Sequence, residues 1–177
     1  MRDALIVSTA RTPLTKSYRG TFNNTTAPTM AGWAIEEAVK RSGVDPEKVD
    51  DVIMGAALQQ GTQHCNVARN SALAAGLPVT VSGMTLDRQC SSGMMAIATA
   101  AKQIISDGMD VAVGGGLDSI SLVQTEKMNL DRWVDKKLIE KHKHIYMPML
   151  KTAEVVADRY NISRESQDEY SLQSQLR

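Results

Sequence analysis

At 177 residues the chain has room for one domain with a sizeable core, or for one domain and a piece of a second. Its 20 basic and 20 acidic residues cancel, which argues against nucleic acid or a membrane surface as the main partner. Cys65 and Cys90 are too few for a disulfide framework and match no metal-ligand spacing, so a reduced, cytoplasmic compartment and no bound metal are expected.

The N-terminus enters strand-like sequence at once, and no later apolar run has the length of a bilayer span. Neither a signal peptide nor a membrane helix is therefore expected. Ala4 to Thr9, with β-branched Ile6, Val7 and Thr9, reads as a buried strand that Arg11-Thr12-Pro13 ends. Residues 14–27 are polar and read as a loop. Pro28 opens a helix at a first-turn position, where its missing N–H costs nothing. Met30, Trp33, Ala34, Ala38 and Val39 form the apolar stripe, and Gly43 supplies the C-terminal cap. Asp45-Pro46 reads as the cap and first residue of a short helical turn.

Val52 to Leu58 reads as a second buried strand, followed by the polar loop Gln59 to Cys65. Asn66 is placed to cap a helix that stops at Gly76, with Pro78 beyond. Val79 to Leu86 is the third strand and runs into Asp87-Arg88-Gln89-Cys90-Ser91-Ser92-Gly93. The helix that follows, through Met94, Met95, Ile97, Ile104 and Ile105, is apolar or small nearly all round, so burial on more than one side is expected. Gly108 ends it, and Val111 to Gly116 is a strand entering a glycine-rich turn. Strands alternating with helices at this spacing imply crossover connections and a largely parallel sheet, an α/β architecture.

After Asp118 the clean periodicity stops. The pattern divides the chain into an α/β core, 1–118, and an incomplete cap or loop region, 119–177. The latter carries the basic cluster Lys136, Lys137, Lys141, His142, Lys143 and His144. Thr152 is placed to cap a helix to Tyr160, and Ser163 to cap another with Tyr170, Leu172 and Leu176 on its apolar side. That last helix reaches Arg177 without a cap, so a longer protein is expected.

Cys90 stands where a strand turns sharply into a helix N-terminus. Its residue type alone allows a catalytic thiol or a small packing residue. The ordered motifs add to this. Arg11-Thr12-Pro13, Val52-Ile53-Met54-Gly55, Ala68-Arg69, Ala75-Gly76-Leu77-Pro78, Cys90-Ser91-Ser92-Gly93, Thr152-Ala153-Glu154 and Ser163 to Glu169 resemble, in register, the N-terminal half of a thiolase. Gly114 to Ser119 resembles that family's Gly-Gly-Met-Glu-Ser-Met stretch, with Leu117 and Asp118 as departures.

The resemblance implies a mixed, mostly parallel sheet with a buried active-site helix, followed by the start of a helical loop domain. It implies an acyl-CoA C-acyltransferase working by Claisen condensation or thiolytic cleavage, with Cys90 as the nucleophile that holds the acyl thioester. The backbone N–H of Cys90 would serve as one oxyanion donor. Coenzyme A and acetyl-CoA would be substrates, with no permanently bound cofactor, and the complete enzyme would be a homodimer or homotetramer. An ordinary thiol is mostly protonated at neutral pH. The helix N-terminus favours a thiolate by about 0.3–1 kcal/mol, up to about 2 when partly buried, so a base is still needed. His64, His142 and His144 are not placed for that role. The family carries its histidine, second cysteine and oxyanion asparagine in the other half, so this chain alone is expected not to turn over.

Other readings stay open. Cys65 is structural or incidental. The basic cluster is either a solvated face or a holder of CoA phosphates. Gly114 to Gly116 fail the dinucleotide fingerprint and suit close packing. A decarboxylating ketoacyl-synthase-like enzyme, or a non-catalytic acyl-CoA-binding module, are the alternatives to a thiolase half.

Overall fold

The computed structural model describes residues 2–177. They form two compact units, one running to Met128 and the other Asn129–Arg177. Among the described residues no helix is long and apolar enough to cross a membrane.

In the first unit three parallel strands, β1 (Asp51–Gly55), β2 (Ser82–Leu86) and β3 (Ala112–Gly116), lie in the order β2-β1-β3. Asp51 sits opposite both Ser82 and Ala112, and Gly55 opposite Leu86 and Gly116. All five residues of the central strand β1 are buried. Its alternation separates two apolar layers. Val52 and Met54 point to one face, with Ile35 and Val39 of α1 (Ala27–Ser42) and Ala68 and Ala72 of α2 (Val67–Ala74). Ile53 points to the other, with Ala96 and Ala100 of α3 (Ser92–Lys102). Burying Ile53 fully contributes about 1.5–3 kcal/mol.

Local chemistry sets the ends of these elements. Gly43 closes α1 at φ 69°, a conformation that disfavours a side chain. Asp45 accepts the amide of Glu47 and caps a 3₁₀ turn, Pro46–Lys48. Asn66 accepts the amide of Arg69 at the start of α2. β2 begins later than expected, at Ser82, because Val81 N–H closes a turn onto Pro78 and the Arg69 guanidinium holds the carbonyl oxygens of Val79 and Val81.

Two expectations fail in the first unit. Ala4 to Thr9 is not a buried strand: it has no ladder partner, and Leu5, Ile6 and Val7 are 78%, 79% and 69% exposed. A strand needs a neighbour to satisfy its backbone, and none lies beside this segment among the described residues. The helix after Cys90 is buried on one side only. Ser92, Ala96 and Ala100 face the sheet, while Met94 is 76% and Ile97 47% exposed. Its second apolar face has no covering layer here. α3 then widens into one π-helical turn, Gln103–Asp107, and ends at Gly108.

β3 leads to the short helix α4 (Ile120–Val123). The second unit holds α5 (Lys136–Lys141), α6 (Met149–Tyr160) and α7 (Arg164–Leu176). Asp135 caps α5 by accepting the amides of Lys137 and Leu138. α6 starts after Pro148 rather than at Thr152, because Pro148 supplies the first carbonyl and both the amide and hydroxyl of Thr152 donate to it. Ser163 caps α7 by accepting the amide of Ser166. Tyr170, Leu172 and Leu176 are exposed.

Candidate active site

Cys90 lies between the end of β2 and the first turn of α3, in a reversal only a few residues long. Small polar groups hold that reversal. Asp87 carboxylate accepts the amide of Gln89 at 2.6 Å, turning the chain immediately after the strand. Gln89 adopts φ 48°, in the left-handed region. Ser92, nearly fully buried, accepts the amide of Arg88 at 2.8 Å and donates to the Gln89 carbonyl at 2.6 Å. Ser91 hydroxyl and amide both donate to the Arg88 carbonyl, at 3.0 and 3.1 Å. The residues on both sides of Cys90 are thus fixed through backbone atoms, while its own thiol is free and exposed. This arrangement presents a sulfur at the positive end of a helix, where developing negative charge is favoured.

The sheet sets the height of this turn. A Cβ on Gly55 would lie 2.1 Å from the Ser92 carbonyl carbon, and one on Gly116 would lie 2.8 Å from Gly93 Cα. Both strand ends therefore need glycine for α3 to approach so closely.

A polar clasp built on a buried glutamine ties the loop after β1 to the exit of β3. Gln63 is nearly fully buried. Its amide nitrogen donates to the Leu58 carbonyl at 2.7 Å and to Asp118 at 2.9 Å, and its oxygen accepts the amide of Ser119. Asp118 also accepts the amide of Ala57 at 3.3 Å. In the sequence Gln63 stands in a polar loop and Asp118 is a motif departure. Their pairing across 55 positions left no local signal.

No hydrogen bond among the described residues joins a histidine to Cys90. His64 Nδ1 instead lies 2.6 Å from the sulfur of Cys65, which is also free and exposed. In that second turn Cys65 and Asn66 both adopt the left-handed region, at φ 51° and 56°. Asn66 donates to the Gly83 carbonyl at 2.7 Å and accepts from the Thr85 hydroxyl at 2.8 Å. His142 and His144 belong to the second unit. Two cavities of the first unit, about 270 and 490 Å³, are not lined by Cys90. The described residues contain no group of three or more His, Cys, Asp or Glu able to hold a metal.

A family model described as the thiolase N-terminal domain matches residues 4–177. The chain is 39% identical over 174 residues to a 3-ketoacyl-CoA thiolase of Bacillus subtilis, covering 98% of this chain and 44% of that protein. It is 36% identical over 185 residues to an acetyl-CoA acetyltransferase of Cupriavidus necator, covering 99% and 47% respectively. The crystal structure of a Bacillus anthracis acetyl-CoA acetyltransferase superposes with a TM-score of 0.82 at 38% identity, over 97% of this chain and 45% of that one. The chain thus spans less than half the length of the relatives it matches. A three-layer α/β unit with parallel strands, a sharp cysteine turn onto a helix, and a match from residue 4 to residue 177 make this chain a member of the thiolase family, corresponding to its N-terminal domain.

Proposed function

We propose that the chain is the acyl-accepting half of an acyl-CoA C-acyltransferase, with Cys90 as nucleophile. The observation that carries this reading is the exposed Cys90 thiol at a backbone-fixed helix N-terminus. The Cys90 sulfur attacks the thioester carbonyl carbon of an acyl-CoA, and the CoA thiolate leaves with the electrons of the broken C–S bond. An acetyl-CoA enolate then attacks the acyl-cysteine, forming a C–C bond and releasing Cys90. In the other direction, the thiol of CoA cleaves a 3-ketoacyl-CoA through the same acyl-cysteine. The Cys90 backbone N–H serves as one donor to the oxyanion. The base that takes the thiol proton, the second cysteine and the partner oxyanion donor come from outside these residues.

Residues 1–118 form the core of this half, and 119–177 begin the loop domain. α4 stays bonded to the core, since the Ser121 hydroxyl accepts the amide of Tyr18 at 2.9 Å. The substrates are acyl-CoA thioesters, coenzyme A is a substrate rather than a resident cofactor, and the complete protein is a homodimer or homotetramer of fatty acid metabolism. Two unpaired thiols suit a reducing compartment, and we place the protein in the cytoplasm.

Acetyl-CoA labelling of the complete protein, followed by peptide mapping, tests the assignment. Acetyl on Cys90 is expected, and acetyl on Cys65 would overturn it. Cys90→Ala should lower turnover by at least about 10³-fold, as loss of a covalent nucleophile does. Cys65→Ser should leave turnover close to the parent value. Turnover at the normal rate by the 177-residue chain alone would refute the claim that the base lies elsewhere.

A further inference from the structure

Ser92 reaches back to both residues that precede the cysteine. Its hydroxyl oxygen accepts the Arg88 amide at 2.8 Å, and its hydroxyl proton goes to the Gln89 carbonyl at 2.6 Å. A serine hydroxyl has one proton to give. The Asp87 carboxylate lies farther away, at 3.4 Å, so the Gln89 carbonyl holds that proton. The Ser92 amide donates to the same carbonyl at 3.0 Å. The Gln89 carbonyl thus takes two hydrogen bonds from one residue. That residue is only 3% exposed, so water does not replace its hydroxyl without opening the turn.

The Gln89 carbonyl and the Cys90 N–H belong to one peptide group. In a trans peptide the two point in opposite directions. Whatever fixes the carbonyl therefore fixes the Cys90 N–H, and fixes it pointing away from Ser92. The peptide group on the other side of Gln89 is also held, since the Gln89 amide donates to Asp87 at 2.6 Å. With Gln89 at φ 48°, rotation of either plane breaks one of these bonds. Two donors on the carbonyl also polarise the peptide group, which makes its N–H a stronger donor. Among the described residues, none of the hydrogen bonds of this turn is donated by the Cys90 amide itself.

We propose that Ser92 is a positioning residue for the oxyanion: it aims and polarises the Cys90 N–H. Ser92 has this role only if Cys90 is the nucleophile and its N–H an oxyanion donor, as in the proposed function. The step it serves is the addition of the Cys90 sulfur to the acyl carbonyl. The sulfur bonds to the carbonyl carbon and the π electrons move onto oxygen. They return as the C–S bond to CoA breaks and the CoA thiolate leaves. A donor already aimed at that oxygen costs no reorganisation when the charge develops. Ser92 itself touches neither the substrate nor the reacting atoms.

Two reactions of the complete protein, both mapped to Cys90, separate the aim of the N–H from the placing of the thiol. Acetylation by acetyl-CoA passes through an oxyanion. Alkylation by iodoacetamide displaces iodide at a saturated carbon and passes through none. Ser92→Ala should slow acetylation by at least about 10-fold, short of the roughly 10²–10³-fold that follows outright removal of an oxyanion donor, and change alkylation by no more than about 2-fold. Ser92→Thr and Ser92→Val add nearly the same volume and differ by a hydroxyl against a methyl group. The threonine variant should acetylate faster than the valine variant, while the two alkylate alike. An equal loss of both reactions in Ser92→Ala would show that Ser92 only holds the turn together. Equal acetylation by the threonine and valine variants would show that the hydroxyl does not aim the N–H. Either result overturns the role of Ser92 and leaves Cys90 as the nucleophile. Absence of acetyl on Cys90 in the parent protein would overturn both.

Discussion

Gly55 and Ser92 meet backbone to backbone, so that a methyl group on Gly55 would lie 2.1 Å from the Ser92 carbonyl carbon and 2.3 Å from its oxygen. Neither atom sits on a flexible side chain that can swing away. Gly55→Ala must lift the first turn of α3 off the sheet or bend β1. Overpacking of this kind costs about 1–3 kcal/mol and occasionally more. In the complete enzyme the same shift should reduce acyl transfer to Cys90 by about 10²-fold, the effect of an ångström-scale misplacement. Urea unfolding and a single-turnover acetylation assay read the two effects separately. A variant with unchanged stability and unchanged acetylation would show that the contact does not set the position of the thiol.

The Gln63 clasp should be expensive to remove. Gln63→Ala leaves the Leu58 carbonyl, the Asp118 carboxylate and the Ser119 amide each short of a partner, Ser119 buried, Leu58 partly buried and Asp118 exposed. Each unsatisfied group costs about 1–3 kcal/mol, reduced where water enters. Denaturant midpoints of the complete protein should fall accordingly, and exchange of the Ser119 amide should accelerate. A midpoint equal to the parent would show that the loop repacks without the amide.

Asp51 offers a stabilising substitution. It is buried at the head of β1, and its Oδ2 accepts the amide nitrogen of Gln103 at 3.4 Å. Asp51 Oδ1 and Gln103 Oε1 are both buried acceptors with no donor. Asp51→Asn keeps Oδ2 as an acceptor and replaces the donorless Oδ1 with an amide nitrogen, removing one buried orphaned acceptor. A gain of about 1 kcal/mol is expected, seen as a higher urea midpoint with an unchanged slope. A lower midpoint would mean that the carboxylate makes an interaction the asparagine cannot replace.

The first turn of α7 should weaken in acid. Glu165 is held below its ordinary value of 4.5, first by its own backbone N–H and then by the Ser163 hydroxyl. A carboxyl lowered in the folded state stabilises above its unfolded value, and that contribution is lost as pH falls through the folded one. The turn is therefore fully supported above pH 4.5 and loses support below it. NMR titration of Glu165 should give a midpoint under 4.5, and Ser163→Ala should raise it. A midpoint at or above 4.5 in the parent would contradict the arrangement.

Caps and turns were legible in the sequence because their chemistry is local. Gly43, Asp45, Asn66, Gly108 and Ser163 act on amides or dihedrals within a few positions of themselves. Membership of the family was legible through motifs in order, and the Cys90 turn through its residue types. Elements whose state depends on a distant neighbour were misread. Ala4 to Thr9 has the composition of a strand but lacks a neighbour to bond, and α3 has the composition of a helix covered twice but is covered once. The Gln63–Asp118 pair joins two elements remote in sequence, so neither residue shows its role where it stands. Threonine suits a cap position, which points to Thr152, but Pro148 begins the helix a turn earlier.

The seam of glycine between the sheet and α3 also bears on how this family drifts. Where a helix is spaced from a sheet by side chains, a volume change in one can be absorbed by its neighbours over successive substitutions. At Gly55 and Gly116 the spacing is set by absent side chains, and no second-site change in a neighbour can subtract an atom that a new Cβ adds. Lineages should therefore vary Ile53, Ala96 and Ala100 in concert while these two positions stay still. Libraries that randomise the cysteine turn should recover function only when both are left alone.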